Sequence, residues 1–179
     1  MPLASEESAH SLPLTIWLTG LSGAGKTTIS KALQSNLQEQ GRQSFVLDGD
    51  VLRQGLCANL GFSHTDRSEN IRRTAEVAAI LNAAGVISIV ALISPFCSDR
   101  ARARQIIGPD RFLEIYLSTP IEECERRDAK GLYGRARRGE IPDFTGVSSP
   151  YEAPQAPHAA IDTSSVSLEE AVSLISKLL

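Results

Sequence analysis

The chain predicts an α/β fold, a mostly parallel five-stranded sheet with helices on both faces, stacked as three layers. Three observations carry that prediction. Apolar, β-prone runs alternate with helical patterns along the sequence. Several of those runs are apolar without alternation, as strands covered on both faces are. One strand-to-helix junction reads Gly20-Leu21-Ser22-Gly23-Ala24-Gly25-Lys26-Thr27, a full match to the phosphate-binding P-loop pattern G-x-x-x-x-G-K-S/T. Such alternation implies right-handed crossovers, with the functional loops at the carboxyl ends of the strands.

The elements follow in order. A strand over Leu14–Thr19 leads into the P-loop, and a helix over Thr27–Gln40 leaves it. A second strand covers Ser44–Leu47. The next helix, Asp66–Ala84, starts with Asp66 and Glu69 in capping-box spacing and places Ile71, Ala75, Ala78 and Leu81 on one face. Strands over Val86–Ile93 and Phe112–Leu117 are next. Thr119 and Pro120, followed by Glu122, predict a cap, a proline at the first helical position and an acidic first turn. A short strand over Ala159–Asp162 precedes a last helix that starts at Ser167, with Glu170 three residues on, and buries Leu168, Val172, Ile175 and Leu179. The exception to regular structure is Lys130–Pro157, rich in glycine, proline and charge. A loop this long inside a compact domain is usually functional, and Arg135, Arg137 and Arg138 make it a candidate lid over phosphates.

At 179 residues the chain fits one domain, over residues 14–179, preceded by a flexible segment over residues 1–13. The net charge of -3 argues against bulk nucleic-acid or membrane-surface binding. The longest apolar stretch, Val86–Ile93, is too short to span a bilayer. The first residues lack the basic start and apolar middle of a secretory signal. Cys57, Cys97 and Cys124 are widely spaced and odd in number, which indicates neither a disulfide framework nor a zinc site and fits a cytoplasmic setting.

The P-loop assigns a nucleoside triphosphate. Its backbone N–H groups and the following helix N-terminus face phosphate oxygens, Lys26 reaches the β- and γ-phosphates, and the Thr27 hydroxyl can ligate Mg²⁺. By itself it does not choose among GTPases, motor ATPases and small-molecule kinases. An N-K-x-D guanine signal is absent, and the Val86–Ile93 strand runs on through Ser94 and Pro95 without a carboxylate. Asp48-Gly49-Asp50, at the end of the second strand, is the alternative source of acid: one carboxylate to hold Mg²⁺, another to orient or deprotonate an acceptor hydroxyl. Arg53, Arg67, Asn70, Arg72 and Arg73 then gather where an anionic acceptor would need them.

With these residues in view, the sequence resembles the adenylyl-sulfate kinases. The resemblance runs from Gly20 to Thr163. After the P-loop it rests on Asp48-Gly49-Asp50-Val51-Leu52-Arg53, Leu60-Gly61-Phe62 and Asp66 through Arg73. It continues with Leu92-Ile93-Ser94-Pro95, Lys130-Gly131-Leu132-Tyr133, Asp143-Phe144-Thr145-Gly146 and Pro150 through Pro154. It implies a P-loop kinase fold with an arginine-containing lid. The activity it implies is transfer of the ATP γ-phosphoryl to the 3′-hydroxyl of adenylyl sulfate, with Mg²⁺, in sulfate assimilation. By residue it implies ATP binding by Gly20, Leu21, Ser22, Gly23, Ala24, Gly25, Lys26, Thr27 and Thr28. Acceptor binding would fall to Asp50, Arg53, Phe62, Arg67, Asn70, Ile93, Ser94, Lys130, Leu132 and Phe144, with Phe62 and Phe144 sandwiching the adenine. Lys26, Asp48, Asp50 and Ser94 would be the catalytic set, with Thr27 on Mg²⁺ and Asp50 a second candidate ligand. Ser94 matches a serine that the family labels a phosphoserine intermediate. No activating base stands near it in the sequence, so a positioning role with direct in-line transfer is the expectation. Members are generally homodimers, and with the chain ending soon after the last helix no fused sulfurylase domain is expected. Two positions depart from the pattern: Val51 replaces a common asparagine, and Arg135, Arg137 and Arg138 stand in a lid that is usually richer in lysine. The competing readings are a P-loop kinase of another small metabolite or nucleoside, and a nucleotide-dependent regulatory module.

Overall fold

The computed structural model describes residues 13–179, so all but the last residue of the expected flexible segment, 1–13, lie outside the described residues. The strands are β1 (Thr15–Thr19), β2 (Ser44–Asp48), β3 (Ile87–Ala91), β4 (Phe112–Leu117) and β5 (Ala159–Ile161). They pair in parallel throughout, in the order β2-β3-β1-β4-β5. Central β1 is buried along its whole length. Its alternation sorts the core: Ile16 and Leu18 join a cluster on one face, and Trp17 joins a second cluster on the other.

Seven helices connect and cover the strands within the described residues: α1 (Lys26–Glu39), α2 (Gly49–Leu52), α3 (His64–Ala83), α4 (Cys97–Ile107), α5 (Ile121–Arg127), α6 (Leu132–Arg137) and α7 (Leu168–Ser176). The face of Ile16 packs against Ile29, Leu33 and Leu37 of α1 and Val172 and Ile175 of α7, whereas the face of Trp17 packs against Ile71, Ala75 and Ala78 of α3 and Ala103 of α4. Each fully buried aliphatic side chain of this kind stabilises the fold by about 1.5–3 kcal/mol. None of the helices is long and apolar enough to cross a membrane.

Several expectations shift in detail. Ser63 caps α3, accepting from the N–H of Asp66 at 3.2 Å, so Asp66 lies inside the first turn and is not the cap. Ser63 wins because its extended backbone lets the hydroxyl turn back on the N–H three residues on. Pro120 occupies the cap of α5 instead of its first helical position, while the Thr119 hydroxyl pairs with that of Thr163 at 2.8 Å. The Ser167–Glu170 capping box of α7 is present in full, but Leu168 at the first position faces outward and Ala171 takes its place in the core. Residues 130–157 are not wholly irregular, since α6 forms at their start. Helix α4, with no buried apolar stripe beyond Ala103 and Ile107, gave no strong periodic signal.

Candidate active site

The carboxyl ends of β1, β2 and β3 open onto a cavity of about 820 Å³, walled by the P-loop, α2, the start of α3, the turn after β3 and residues from Arg127 to Thr145. The P-loop owes its curl to its glycines. Gly20 has a φ of 148°, and a Cβ there would lie 2.7 Å from the Leu117 carbonyl oxygen. Gly25 caps α1 in a left-handed conformation, with no side chain occupying the first-turn N–H groups. Ser22, Gly23, Gly25, Lys26, Thr27 and Thr28 line the cavity, whereas Gly20, Leu21 and Ala24 stand behind it, with Ala24 in the core and Leu21 packed on it.

The Lys26 ammonium donates to the carbonyls of Gly20 at 2.8 Å and Leu21 at 2.6 Å. Burial pulls it down to about 8, an effect offset in part by Cys124, Asp48 and Asp50. The Thr27 hydroxyl donates to Asp48 Oδ2 at 2.7 Å, and Asp48 Oδ1 accepts the N–H of Asp50 at 2.9 Å. The two acids of the Asp-Gly-Asp turn therefore separate. Asp48, the last residue of β2, is buried against Thr27. Asp50, one residue into α2, is exposed and ion-pairs with Lys130. Thr27 and Asp48 are hard oxygen donors lying side by side, whereas Asp50, the second candidate ligand, stands apart on Lys130. No group of three or more His, Cys, Asp or Glu side chains suited to a metal ion occurs among the described residues.

Every residue expected to bind the acceptor lines the cavity: Asp50, Arg53, Phe62, Arg67, Asn70, Ile93, Ser94, Lys130, Leu132 and Phe144. Arg53 stacks on Phe62 with its guanidinium carbon 4.2 Å from the ring centre, and donates to the carbonyls of Leu60 and Gly61. Arg67 donates to the carbonyls of Phe62 at 2.8 Å and Asp143 at 2.7 Å. The aromatic pair is unequal. Phe62 is 57% exposed, while Phe144 is 9% exposed and meets Tyr133 edge-on with ring centres 5.0 Å apart. Asn70 is buried with its Oδ1 unpartnered. Ser94 is buried too, its Oγ accepting from Trp17 Nε1 at 3.0 Å.

Not all of the expected basic residues converge. Arg72 and Arg73 turn to Glu69, whose carboxyl they hold down to about 2 by hydrogen bonding, and neither lines the cavity. Of the lid arginines, Arg135 lines the cavity, Arg137 pairs with Glu125 and Arg138 with Glu140. Nearby acids decide this: Glu69 takes Arg72 and Arg73 within one helical turn, and Glu125 and Glu140 take Arg137 and Arg138.

The sequence reading missed a set of residues that join the lid base to the P-loop. Asp128 accepts the N–H groups of Leu132, Tyr133 and Gly134, and so seats α6. Tyr133 Oη donates to the Ser22 carbonyl at 2.9 Å. Arg127 donates to Thr163 Oγ1 at 2.8 Å and to the Thr163 carbonyl at 2.9 Å, and Thr163 Oγ1 donates to the Ala24 carbonyl at 3.1 Å. The helical spacing of Glu123 and Arg127, which form an ion pair, was the one local signal in the sequence for this arrangement.

Comparison with known proteins agrees with the geometry. The family model described as adenylylsulphate kinase matches residues 12–162. An adenylyl-sulfate kinase of Pseudomonas aeruginosa is 58% identical over 163 residues, spanning 91% of this chain and 83% of that protein. One of Bacteroides fragilis is 54% identical over 167 residues, spanning 93% and 83%. Among solved structures, the Mycobacterium tuberculosis APS kinase in complex with AMPPNP and APS matches with a TM-score of 0.90 at 43% identity, over 93% of this chain and 96% of that one. The cavity joins a P-loop to a wall of arginine and phenylalanine, and the sequence matches along nearly its whole described length: the chain belongs to the adenylylsulphate kinase family.

Proposed function

We propose that this protein transfers the γ-phosphoryl group of ATP to the 3′-hydroxyl of adenylyl sulfate, giving 3′-phosphoadenylyl sulfate and ADP. The observation that carries the reading is the two-sided cavity. On one side the P-loop and Lys26 suit a triphosphate, and on the other Arg53, Phe62, Arg67 and Asn70 suit an anionic adenine nucleotide. Forked guanidiniums match tetrahedral oxyanions, and an exposed phenylalanine offers a stacking surface to a base.

Transfer is in-line. The acceptor 3′-oxygen forms the new bond to the γ-phosphorus as the bond to the β,γ-bridging oxygen breaks and ADP leaves; the hydroxyl proton passes to Asp50 or to solvent. Thr27 and Asp48 would hold Mg²⁺, which when bound neutralises phosphate charge. Lys26 stabilises the developing charge on the phosphoryl oxygens, with Arg135 supplying the lid's contribution. Ser94 shapes the acceptor wall and carries no phosphoryl group. The segment over about residues 130–157 serves as the lid. A homodimer in the cytoplasm completes the proposal; the resemblance supports the assembly, and the three free cysteines fit a reducing compartment.

The deciding experiment is incubation with Mg-ATP and adenylyl sulfate, with detection of the 3′-phosphorylated product. Gluconate, shikimate and a nucleoside serve as competing acceptors. Turnover of one of those, with none of adenylyl sulfate, would sink the assignment. Light scattering tests the assembly, and a monomeric mass removes the dimer.

A further inference from the structure

Among the described residues, two besides glycine occupy left-handed backbone: Ser94, with φ 40°, and Asp143, with φ 54°. That conformation crowds Cβ against the following carbonyl oxygen and persists where the surroundings over-determine it. In both cases an arginine holds the residue's own carbonyl oxygen at 2.7 Å, Arg67 Nη2 on Asp143 and Arg100 Nη1 on Ser94. The two arginines differ in one respect. Arg67 lines the cavity, whereas Arg100 is 3% exposed and does not.

Three further donors of Arg100 are engaged inside the protein. Its Nε donates to Glu114 Oε1 on β4 at 2.8 Å, and its Nη2 to the Glu152 carbonyl at 2.7 Å and Cys97 Sγ at 3.0 Å. Glu152 is fastened a second time, since its N–H donates to the Pro95 carbonyl at 2.8 Å. Beside it, Tyr151 Oη lies 2.9 Å from Thr19 Oγ1, and Thr19 Oγ1 donates to the Ile93 carbonyl at 2.7 Å. One planar guanidinium thus joins the turn after β3 to a strap at Tyr151–Glu152, toward the end of the 130–157 segment.

We infer that Arg100 is a positioning residue for the acceptor half of the site. It fixes Ser94 in its left-handed turn and locks that turn to the Tyr151–Glu152 strap, so that the wall meeting the acceptor is set before the acceptor arrives. Lysine cannot replace it, because a single ammonium does not reach two carbonyls and a carboxylate in one plane. The kinetic arm of this inference rests on the proposed activity; the structural arm does not.

The test uses the full chain carrying Arg100→Lys and, separately, Arg100→Met with Glu114→Met. The double variant withdraws both charges together, which a buried pair tolerates better than the loss of one partner. Trp17, the one tryptophan in the chain, donates its indole N–H to Ser94 Oγ and so reports the turn directly by NMR without nucleotide. In the folded variants that resonance shifts or broadens. KM for adenylyl sulfate rises about tenfold or more, while KM for ATP stays within about twofold. An unmoved indole resonance with unchanged acceptor KM overturns the inference. So does an equal rise in both KM values, or failure of both variants to fold, each of which marks Arg100 as structural only. If wild-type protein itself does not turn over adenylyl sulfate, the activity reading falls, and the indole resonance alone decides the role of Arg100.

Discussion

The donor side of the cavity occupies one stretch of chain, Gly20 to Thr28, whereas the acceptor side is assembled from α2, the turn after it, α3, the exit of β3 and the 127–145 segment. The donor loop is curled by its own glycines and the helix that follows, and distant residues hold it from behind, Tyr133 on the Ser22 carbonyl and Thr163 on the Ala24 carbonyl. The acceptor wall depends on contacts between distant segments: Arg67 on Asp143, Arg100 on Ser94 and Glu152, Lys130 on Asp50. The first side rests chiefly on one short motif. The second is sensitive to changes far from the chemistry, because each of its contacts couples elements that pack independently.

Substitutions that split the two sides sharpen this contrast. The largest effect is expected from Lys26→Met, which removes the half-buried ammonium proposed to stabilise the transferred group and should lower kcat ~10³-fold or more. Adenylyl sulfate binding, measured by equilibrium dialysis, should stay within about twofold. Loss of acceptor binding as well would mean that the two sides are not separable. Next comes Asp50→Asn, expected to lose ~10²-fold as an acid–base partner does, while Ser94→Ala keeps measurable activity in the same assay. A Ser94→Ala protein that binds both nucleotides but is inert would restore the covalent route.

A smaller effect is expected on the acceptor side. Phe62→Ala should raise KM for adenylyl sulfate about tenfold, the lower end of what a lost base stack is worth, and leave KM for ATP unchanged. Equal changes in both constants would remove the stacking role.

The smallest effect is a pH dependence on the donor side. The Lys26 ammonium lies at about 8, below its ordinary 10.5. It is fully charged below that pH, and the triphosphate binds the charged form. Affinity for a fluorescent ATP analogue should therefore weaken as pH rises through about 8, with a midpoint moved upward in the complex. Lys26→Met should flatten the profile, and a flat wild-type profile would show that this ammonium is not the one contacting phosphate. Without ligand the sign for folding is the opposite. The native state binds fewer protons than the unfolded chain between about 8 and 10.5, so the contribution of Lys26 to stability grows with pH across that window.

Much of this was legible before the fold. The five strands and the P-loop came from apolar runs and a motif whose spacing is set by local geometry. The Ser167–Glu170 box was visible because capping is a contact across one helical turn. Local pattern failed where two local solutions compete. Asp66 and Ser63 both suit a cap, and the backbone at Ser63 decided between them. Helix α4 was missed because its exposed, arginine-rich surface carries little apolar periodicity.

By itself the sequence determined the donor site, the order of the elements and the residues from which an acceptor site could be drawn, because these depend on neighbours a few positions apart. The tertiary structure decided which of those residues meet. It paired Asp48 with Thr27 and left Asp50 to Lys130, turned Arg72 and Arg73 away to Glu69, and buried Phe144 against Tyr133 while leaving Phe62 open. It also brought forward Arg100, which stands six residues from Ser94 with nothing in that spacing to mark it. The reason is physical: a guanidinium's partners are fixed by where a strand, a turn and a strap come together, and no local periodicity records that meeting.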